Sequence, residues 1–367
     1  MAKRRGNGEG SITRRKDGLY MARYWVETPK GSKRKTIYGK KRDEVADKLA
    51  RALAERADGI AYDDENLTVG EYLNSWLKGS VRGSVRQSTF DRYEIAVRVH
   101  IKPALGRVKL KKLSPAHVAG FYQDRLAAGS APASVNKLHV TLRKALDQAV
   151  KWHMVPRNVA EAVKAPRPAP PEMRTLSAEE TRKLIEVARG DKLGALYMLA
   201  VHTGMRQGEL LALKWQDVDL ENAKLSVRRT LTMSNGRILL GELKTKRSRR
   251  TIRLTDAAIQ ALHEHLARQL EGMERLGDAY RDEGLIFASQ VGTPINPTNL
   301  RRRSFAALLR RANLPKIRFH DLRHTCATLL LSRNVHPKYV QELLGHANIA
   351  ITLDTYSHVI PGMGTMP

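Results

Sequence analysis

Residues 318–331 read Arg-Phe-His-Asp-Leu-Arg-His-Thr-Cys-Ala-Thr-Leu-Leu-Leu, and the functional pattern of the chain is clearest around this segment. The polar start and the apolar continuation predict a helix over 320–332. Because His320 and Arg323 are three residues apart, they share one face of that helix. A pair of this kind is common on protein surfaces, so the segment alone does not identify a function.

Three further motifs surround this segment. Downstream, Leu343-Leu-Gly-His346 ends a predicted helix over 337–344, and Asp354-Thr-Tyr356 lies in another over 349–357. Upstream, Thr203-Gly-Met-Arg-Gln-Gly-Glu-Leu210 places Arg206 between two glycines, and Glu209 is near enough in sequence to hold its guanidinium. Taken singly, each motif is compatible with a purely structural role.

Between these motifs the pattern predicts short strands, with Leu243-Lys-Thr-Lys246 near the turn of a hairpin. The C-terminal region therefore reads as a mostly helical domain over 175–367 with a small antiparallel sheet. The predicted strands cover 224–230, 237–243 and 250–254. The other predicted helices cover 177–188, 192–203, 207–213, 255–276 and 297–312.

The rest of the chain divides at two composition changes. Residues 1–60 predict a small three-stranded sheet followed by a helix over 42–57, and residues 66–165 predict an all-helical domain. Prolines crowd the segment 166–174, which we interpret as a linker. Together these regions indicate a multi-domain α+β protein. Helix starts are predicted at Thr68, Ser88, Ser114, Ser134 and Ser177.

The charge of the chain points to a polyanion as its partner. The 367 residues carry a formal net charge of +28. Residues 1–60 and 61–170 carry +9 each and residues 171–367 carry +10, so every region shares the excess. Basic charge along the whole chain indicates that several domains contact a long polyanion, usually nucleic acid.

Composition also excludes several classes. The single cysteine, Cys326, excludes an intramolecular disulfide and is interpreted as a small buried residue. No apolar run approaches a membrane span, and the basic N-terminus lacks the apolar segment of a secretory signal. The histidines lack metal-ligand spacing, so neither a metal nor another cofactor is predicted.

In order and spacing together, the motifs resemble the tyrosine recombinase family, also called phage integrases. The resemblance is strong over about 175–360. Residues 67–165 resemble the family's core-binding domain, and residues 9–58 resemble the arm-binding domain of integrases from phages and integrative elements. Unlike many family members, this chain has only eleven residues after Tyr356, and they are rich in glycine and proline.

The resemblance implies a role for each matching residue. Tyr356 matches the nucleophile, and Lys244 matches a hairpin lysine that protonates the leaving oxygen, with Lys246 as the alternative. Planar guanidinium groups suit the oxygens of a phosphodiester, and histidine donors would complete the cage. The catalytic set implied by the resemblance is Arg206, Lys244, His320, Arg323, His346 and Tyr356.

The implied activity is site-specific DNA recombination that integrates and excises a mobile element. It proceeds through a covalent 3′-phosphotyrosine and a Holliday junction, on double-stranded DNA with core and arm attachment sites. The family implies a homotetramer on DNA in the bacterial cytoplasm, with a directionality factor and a DNA-bending host protein as further partners. The alternatives are a catalytically silent DNA-binding relative and an enzyme like a type IB topoisomerase.

Overall fold

The computed structural model describes residues 11–28, 31–57, 66–167, 173–234, 236–243 and 248–357. The chain divides into two compact units, residues 1–170 and 171–367. Within the described ranges, no helix is both long enough and apolar enough to cross a membrane.

The first unit begins with the predicted sheet and helix. Strands β1 (Ser11–Arg14), β2 (Tyr20–Thr28) and β3 (Gly31–Gly39) form an antiparallel sheet in the order β1-β2-β3, and helix α1 (Arg42–Ala57) follows. Ala22 is buried with Val45 and Leu49 of α1. Since neighbouring residues of a strand point to opposite faces, Arg23 and Trp25 lie on the face turned away from α1.

The remainder of the first unit is helical around one apolar core that includes Trp76, Leu73 and Leu142. Its α-helices are α2 (Val69–Trp76), α3 (Gln87–Ile95), α4 (Lys102–Leu105), α5 (Pro115–Ala127) and α6 (Pro132–Lys151). Two π-helical turns, Leu77–Val81 and Ala96–Ile101, continue α2 and α3, and the 3₁₀ turns are Leu110–Lys112 and Val159–Ala162.

The predicted helix starts were partly wrong. Capping boxes stand at Thr68 and Ser114, as expected. Helix α3 starts instead after Arg86, and α6 starts after Ala131, neither with a side-chain cap. Pro132 explains the second case, because its fixed φ suits the first helical position without help from a cap.

The second unit has a larger core and holds all of the proposed catalytic residues. Helix α7 (Ala178–Ala188) begins with the predicted capping box at Ser177. The helices that follow are α8 (Gly194–Thr203), α9 (Gln207–Leu210), α10 (Asp256–Leu276), α11 (Pro297–Asn299), α12 (Ala306–Arg311), α13 (Asp321–Leu331), α14 (Pro337–Leu344) and α15 (Ile349–Tyr356). A π-helical turn, Leu300–Phe305, joins α11 to α12, and the 3₁₀ turns are Trp215–Asp217 and Gly277–Ala279.

The strands of this unit correct the predicted hairpin. The run predicted over 224–230 divides into β5 (Lys224–Val227) and β6 (Arg229–Ser234), which lie in different sheets. Strand β5 pairs with β4 (Val218–Asp219) and β8 (Arg250–Arg253), whereas β6 pairs with β7 (Arg237–Glu242). Strands β7 and β8 therefore do not form one hairpin. The lysine segment between them, residues 244–247, lies outside the described residues. The choice between Lys244 and Lys246 as the catalytic lysine therefore stays a prediction.

Candidate active site

Arg206 stands at the start of α9, where the chain turns sharply after α8. Gly204 has a φ of +58°, and a Cβ there would lie 2.5 Å from Leu344 Cδ2, so the turn requires glycine. Arg206 Nη1 donates to Glu209 Oε1 at 2.9 Å, and its backbone N–H donates to Oε2 at 3.0 Å. The expected contact between Glu209 and the guanidinium is present, and it fixes the side chain while leaving it 41% exposed.

Glu209 is a buried carboxylate between two arginines. Its second partner is Arg250 on β8, which donates from Nη2 to Oε2 at 3.0 Å. Burial alone would raise the pKa of the Glu209 carboxyl. The charge and hydrogen bond of Arg250, together with Arg206, outweigh it and lower the pKa below its usual value. Glu209 is therefore ionised at neutral pH and holds both guanidinium groups.

Arg250 was missed by the sequence analysis. Besides Glu209, its Nε donates to Leu343 O at 2.6 Å and its Nη1 donates to Ser248 O at 3.2 Å. Leu343 lies in the last turn of α14, shortly before His346. Arg250 thus connects the segment of Arg206 to the segment of His346, although 41 residues separate it from Glu209 along the chain.

Arg323 is the second predicted arginine, and it is 3% exposed. Its Nη1 donates to Gly204 O at 2.8 Å, while its buried Nη2 has no hydrogen-bond partner among the described residues. Burial, followed by the charge of Arg206, lowers the pKa of Arg323 to about 10, so it remains a cation at neutral pH. A buried cation with an unused donor is suited to bind an anion. Arg206, Glu209, Arg250 and Arg323 are here called the guanidinium cluster.

The two predicted histidines lie at the margin of this cluster. His320 stands at the start of α13, where desolvation of its ring by the surrounding protein, and then the charge of Arg323, lower its pKa. His346 forms a 2.9 Å hydrogen bond through Nδ1 with the hydroxyl of Thr352. Burial, followed by Arg323 and Arg206, lowers the pKa of His346 to about 4, so the ring is neutral at pH 7.

Tyr356 ends α15 and is 1% exposed. Burial raises its pKa to about 12, although the charge of Arg323 acts in the opposite direction. Its hydroxyl lies 2.7 Å from Nδ1 of His324, a residue to which the sequence analysis gave no role. The side chains packed on Tyr356 come from α13 and α14. With it they form what we call the tyrosine cluster: Tyr356, His324, Ala327, Leu331, Val340 and Leu344.

The structure thus brings five of the six predicted residues into one site, and the sixth, Lys244, lies outside the described residues. Cys326, on the same helix as Arg323, is buried as expected, and burial raises the pKa of its thiol to about 12. Chemically, the site combines cations with unused donors, neutral histidines and a tyrosine hydroxyl. This combination suits attack of the tyrosine on a phosphodiester.

The chain is similar in sequence to a family of known proteins. The profile of the phage integrase family matches residues 174–362, and that of the phage integrase N-terminal SAM-like domain matches residues 68–126. A tyrosine recombinase XerC-like protein of Caldanaerobacter subterraneus is 34% identical over 351 residues, covering 90% of each chain. An integrase of Streptomyces ambofaciens is 31% identical over 379 residues, covering 97% of this chain and 94% of its own.

Two solved structures have a similar fold. The Tn1549 transposon integrase in complex with a circular intermediate DNA has a TM-score of 0.68 at 22% identity, covering 79% of this chain and 95% of its own. A lambda integrase tetramer bound to a Holliday junction has a TM-score of 0.59 at 21% identity, covering 99% of this chain and 98% of its own. The mostly helical α+β architecture predicted from the sequence is therefore confirmed.

Proposed function

The chain belongs to the phage integrase family of tyrosine recombinases, and we propose that it recombines DNA through a covalent bond between Tyr356 and a 3′ phosphate. Its activity class is site-specific DNA recombination, an enzymatic cleavage and rejoining of strands. The observation that carries the mechanism is the buried Arg323, because its Nη2 has no hydrogen-bond partner among the described residues and so offers a free donor to a phosphate.

In the proposed mechanism the guanidinium cluster binds the scissile phosphate. Arg206 and Arg323 contact the non-bridging oxygens and stabilise the charge that builds there during attack. His320 and His346 contribute further donors, and Lys244 protonates the departing 5′ oxygen. Because the phosphotyrosine ester keeps the energy of the broken bond, the 5′ hydroxyl of another strand can displace Tyr356 without ATP. Two such exchanges pass through a Holliday junction.

The first unit would supply further DNA contacts. We assign residues 66–165 to core-site binding, residues 166–174 to a linker and residues 175–367 to catalysis. Residues 1–60 would bind arm sites through the open face of their sheet. There Arg34 lies over the ring of Trp25 at 6.0 Å from the ring centroid, and Arg23 is exposed. A cationic strand face of this kind can enter a DNA groove.

The resulting biological proposal is an integrase that inserts and excises a mobile element in the bacterial cytoplasm. It would act as a homotetramer on DNA, aided by a directionality factor and a DNA-bending host protein. A topoisomerase-like enzyme would instead relax supercoiled DNA without joining two sites, and a silent relative would bind without cleaving. Recombinant joints between two sites distinguish these three outcomes.

A covalent trap tests the proposal. The wild type, Tyr356→Phe and Tyr339→Phe are each expressed with a plasmid that carries the DNA flanking the coding gene, then denatured, and the DNA-linked protein is recovered. Tyr339 is a matched control because it is 52% exposed on the neighbouring helix α14. We expect an adduct on the Tyr356 peptide in the wild type and in Tyr339→Phe, and none in Tyr356→Phe. An adduct retained by Tyr356→Phe would overturn the assignment.

A further inference from the structure

The Tyr356 hydroxyl is hydrogen-bonded to a histidine that the proposed mechanism does not use. His324 lies one helical turn after His320 on α13, and its Nδ1 is 2.7 Å from Tyr356 Oη. Its ring also meets that of Tyr356 at a centroid distance of 5.8 Å. A proton acceptor must lie within hydrogen-bond reach of the proton that it removes, and His324 meets this condition.

The other two histidines of the site do not meet it. His346 directs Nδ1 to Thr352, and His320 contacts His324 edge-on, at a ring centroid distance of 5.1 Å. Among the described residues, the hydrogen bond recorded for the Tyr356 hydroxyl is the one to His324. We propose that His324 is the general base that takes the proton of Tyr356 as the tyrosine oxygen attacks phosphorus. This proposal rests on the proposed function.

The protonation states at rest are consistent with this direction of transfer. Burial, and then the charge of His320, lowers the pKa of His324 to about 4, so the ring is neutral and offers a lone pair at pH 7. Tyr356, whose pKa is raised to about 12, keeps its proton and donates it. The charge of Arg323 is one of the causes that lower the pKa of His324, so a bound phosphate that offsets this charge would make His324 a stronger base.

The step balances without a further reactant. The Tyr356 O–H bond breaks and its proton passes to His324 Nδ1, while the tyrosine oxygen forms a bond to phosphorus. The P–O5′ bond breaks, and the 5′ oxygen leaves with the electron pair and takes a proton from the separate acid named above. In the religation step, the His324 imidazolium returns its proton to Tyr356 as the phosphotyrosine bond breaks.

The test replaces His324 with residues that separate proton transfer from hydrogen bonding. His324→Asn places an amide near the position of Nδ1, where it can accept a hydrogen bond but cannot take a proton, and His324→Ala removes both abilities. His263→Asn is the matched control, since His263 is exposed on α10. The readout is the initial rate of covalent adduct formation on the plasmid with the flanking DNA, alongside DNA binding and thermal unfolding.

We expect both His324 variants to form the adduct at least ~10²-fold more slowly than the wild type, with DNA binding retained and His263→Asn unchanged. If His324→Asn restores the wild-type rate, His324 only positions the tyrosine and the proposal is wrong. If His324→Ala forms the adduct at an unchanged or faster rate, the proposal is also wrong. The hydrogen bond to His324 would then only hold Tyr356 in its buried position.

A second readout distinguishes proton transfer from the nucleophile from proton transfer to the leaving group. DNA with a bridging 5′ sulfur at the mapped cleavage position has a leaving group that needs no acid. This substrate should leave the defect of His324→Asn in place, because that defect concerns the nucleophile. Full rescue by the sulfur would assign His324 to the leaving group instead and would overturn the proposal.

A third measurement needs no DNA. In ¹⁵N-histidine spectra of the protein, His324 Nδ1 should show the shift of an unprotonated nitrogen, and this shift should change in Tyr356→Phe. A protonated Nδ1 would contradict the proposal. If the wild type forms no adduct at all, the proposed function fails, whereas the spectra still decide whether His324 Nδ1 accepts the hydrogen bond of the Tyr356 hydroxyl.

Discussion

The guanidinium cluster and the tyrosine cluster hold their reactive groups by different forces. In the first, Glu209 is 2% exposed and binds Arg206 and Arg250 through ion pairs. In the second, Tyr356 packs among aliphatic side chains, and its hydrogen bond within the described part of the chain is to His324. Ion pairs and hydrogen bonds are directional, whereas apolar packing is not. Arg206 and Arg250 are thus held mainly by directional contacts, whereas Tyr356 is held mainly by apolar packing.

Removing the carboxylate of Glu209, which both arginines share, should have the largest effect on the free energy of unfolding. Glu209→Gln keeps the size of the side chain but leaves Arg250 without a counter-charge in a buried site. We expect the free energy of unfolding to fall by about 3–5 kcal/mol, the usual cost of breaking a buried ion pair. Urea denaturation measures this loss.

The matched control is Glu274→Gln, since Glu274 is exposed on α10. Its effect should stay within about 0.5 kcal/mol, as for other surface substitutions. Equal effects of the two substitutions would show that the ion pairs of Glu209 do not set the strength of the guanidinium cluster.

Replacing Arg250 with lysine should lower the free energy of unfolding by a smaller amount. Lysine is a point charge without the planar fork, so Arg250→Lys cannot contact both Glu209 and Leu343 O. We expect a loss of about 1–3 kcal/mol in the free energy of unfolding and slower adduct formation, with DNA binding retained. Arg253→Lys is the control, because Arg253 is exposed on the same strand. Indistinguishable rates for the two variants would remove Arg250 from the site.

The same two clusters show what the sequence could predict. The contact of Arg206 with Glu209 follows from a spacing of three residues, and the capping boxes at Thr68 and Ser177 are local as well. Arg250 reaches Glu209 across 41 residues, and His324 reaches Tyr356 across 32. No local pattern specifies such contacts, because they depend on how helices and strands from distant segments pack together.

The strand error has the same origin. A continuous β-favouring run over 224–230 says nothing about which partner each residue pairs with. In the structure Val227 pairs with Arg250, whereas Arg229 pairs with Glu242 in another sheet. The guanidinium of Arg229, at the start of β6, also binds the buried Asp217 at 2.7 Å. Long-range pairing thus decided the break at Arg228.

Mild acid should affect the two clusters differently. Of the three predicted changes in the free energy of unfolding, this one should be the smallest. In the tyrosine cluster, the pKa of His324 is lowered to about 4, mainly by burial, whereas an unfolded histidine titrates near ~6.5. Between these values the unfolded chain binds protons that the folded chain does not, so the free energy of unfolding decreases as the pH falls. Glu209 behaves differently, because its pKa is lowered below the usual value of a carboxyl group by the charge and hydrogen bond of Arg250, so it loses its charge only in stronger acid than an ordinary glutamate.

We therefore expect mild acid to weaken the tyrosine cluster while the guanidinium cluster persists. From pH 7 to pH 4.5, His324 should account for on the order of 1–2 kcal/mol of the lost free energy of unfolding, measured by urea denaturation at each pH. Because other buried histidines also titrate there, the decisive quantity is the difference between variants. The pH slope of His324→Asn should be shallower than that of the wild type, and the slope of His263→Asn should not. Parallel slopes for all three proteins would mean that His324 is as readily protonated in the folded as in the unfolded chain. Acid would then have no selective effect on the tyrosine cluster through His324.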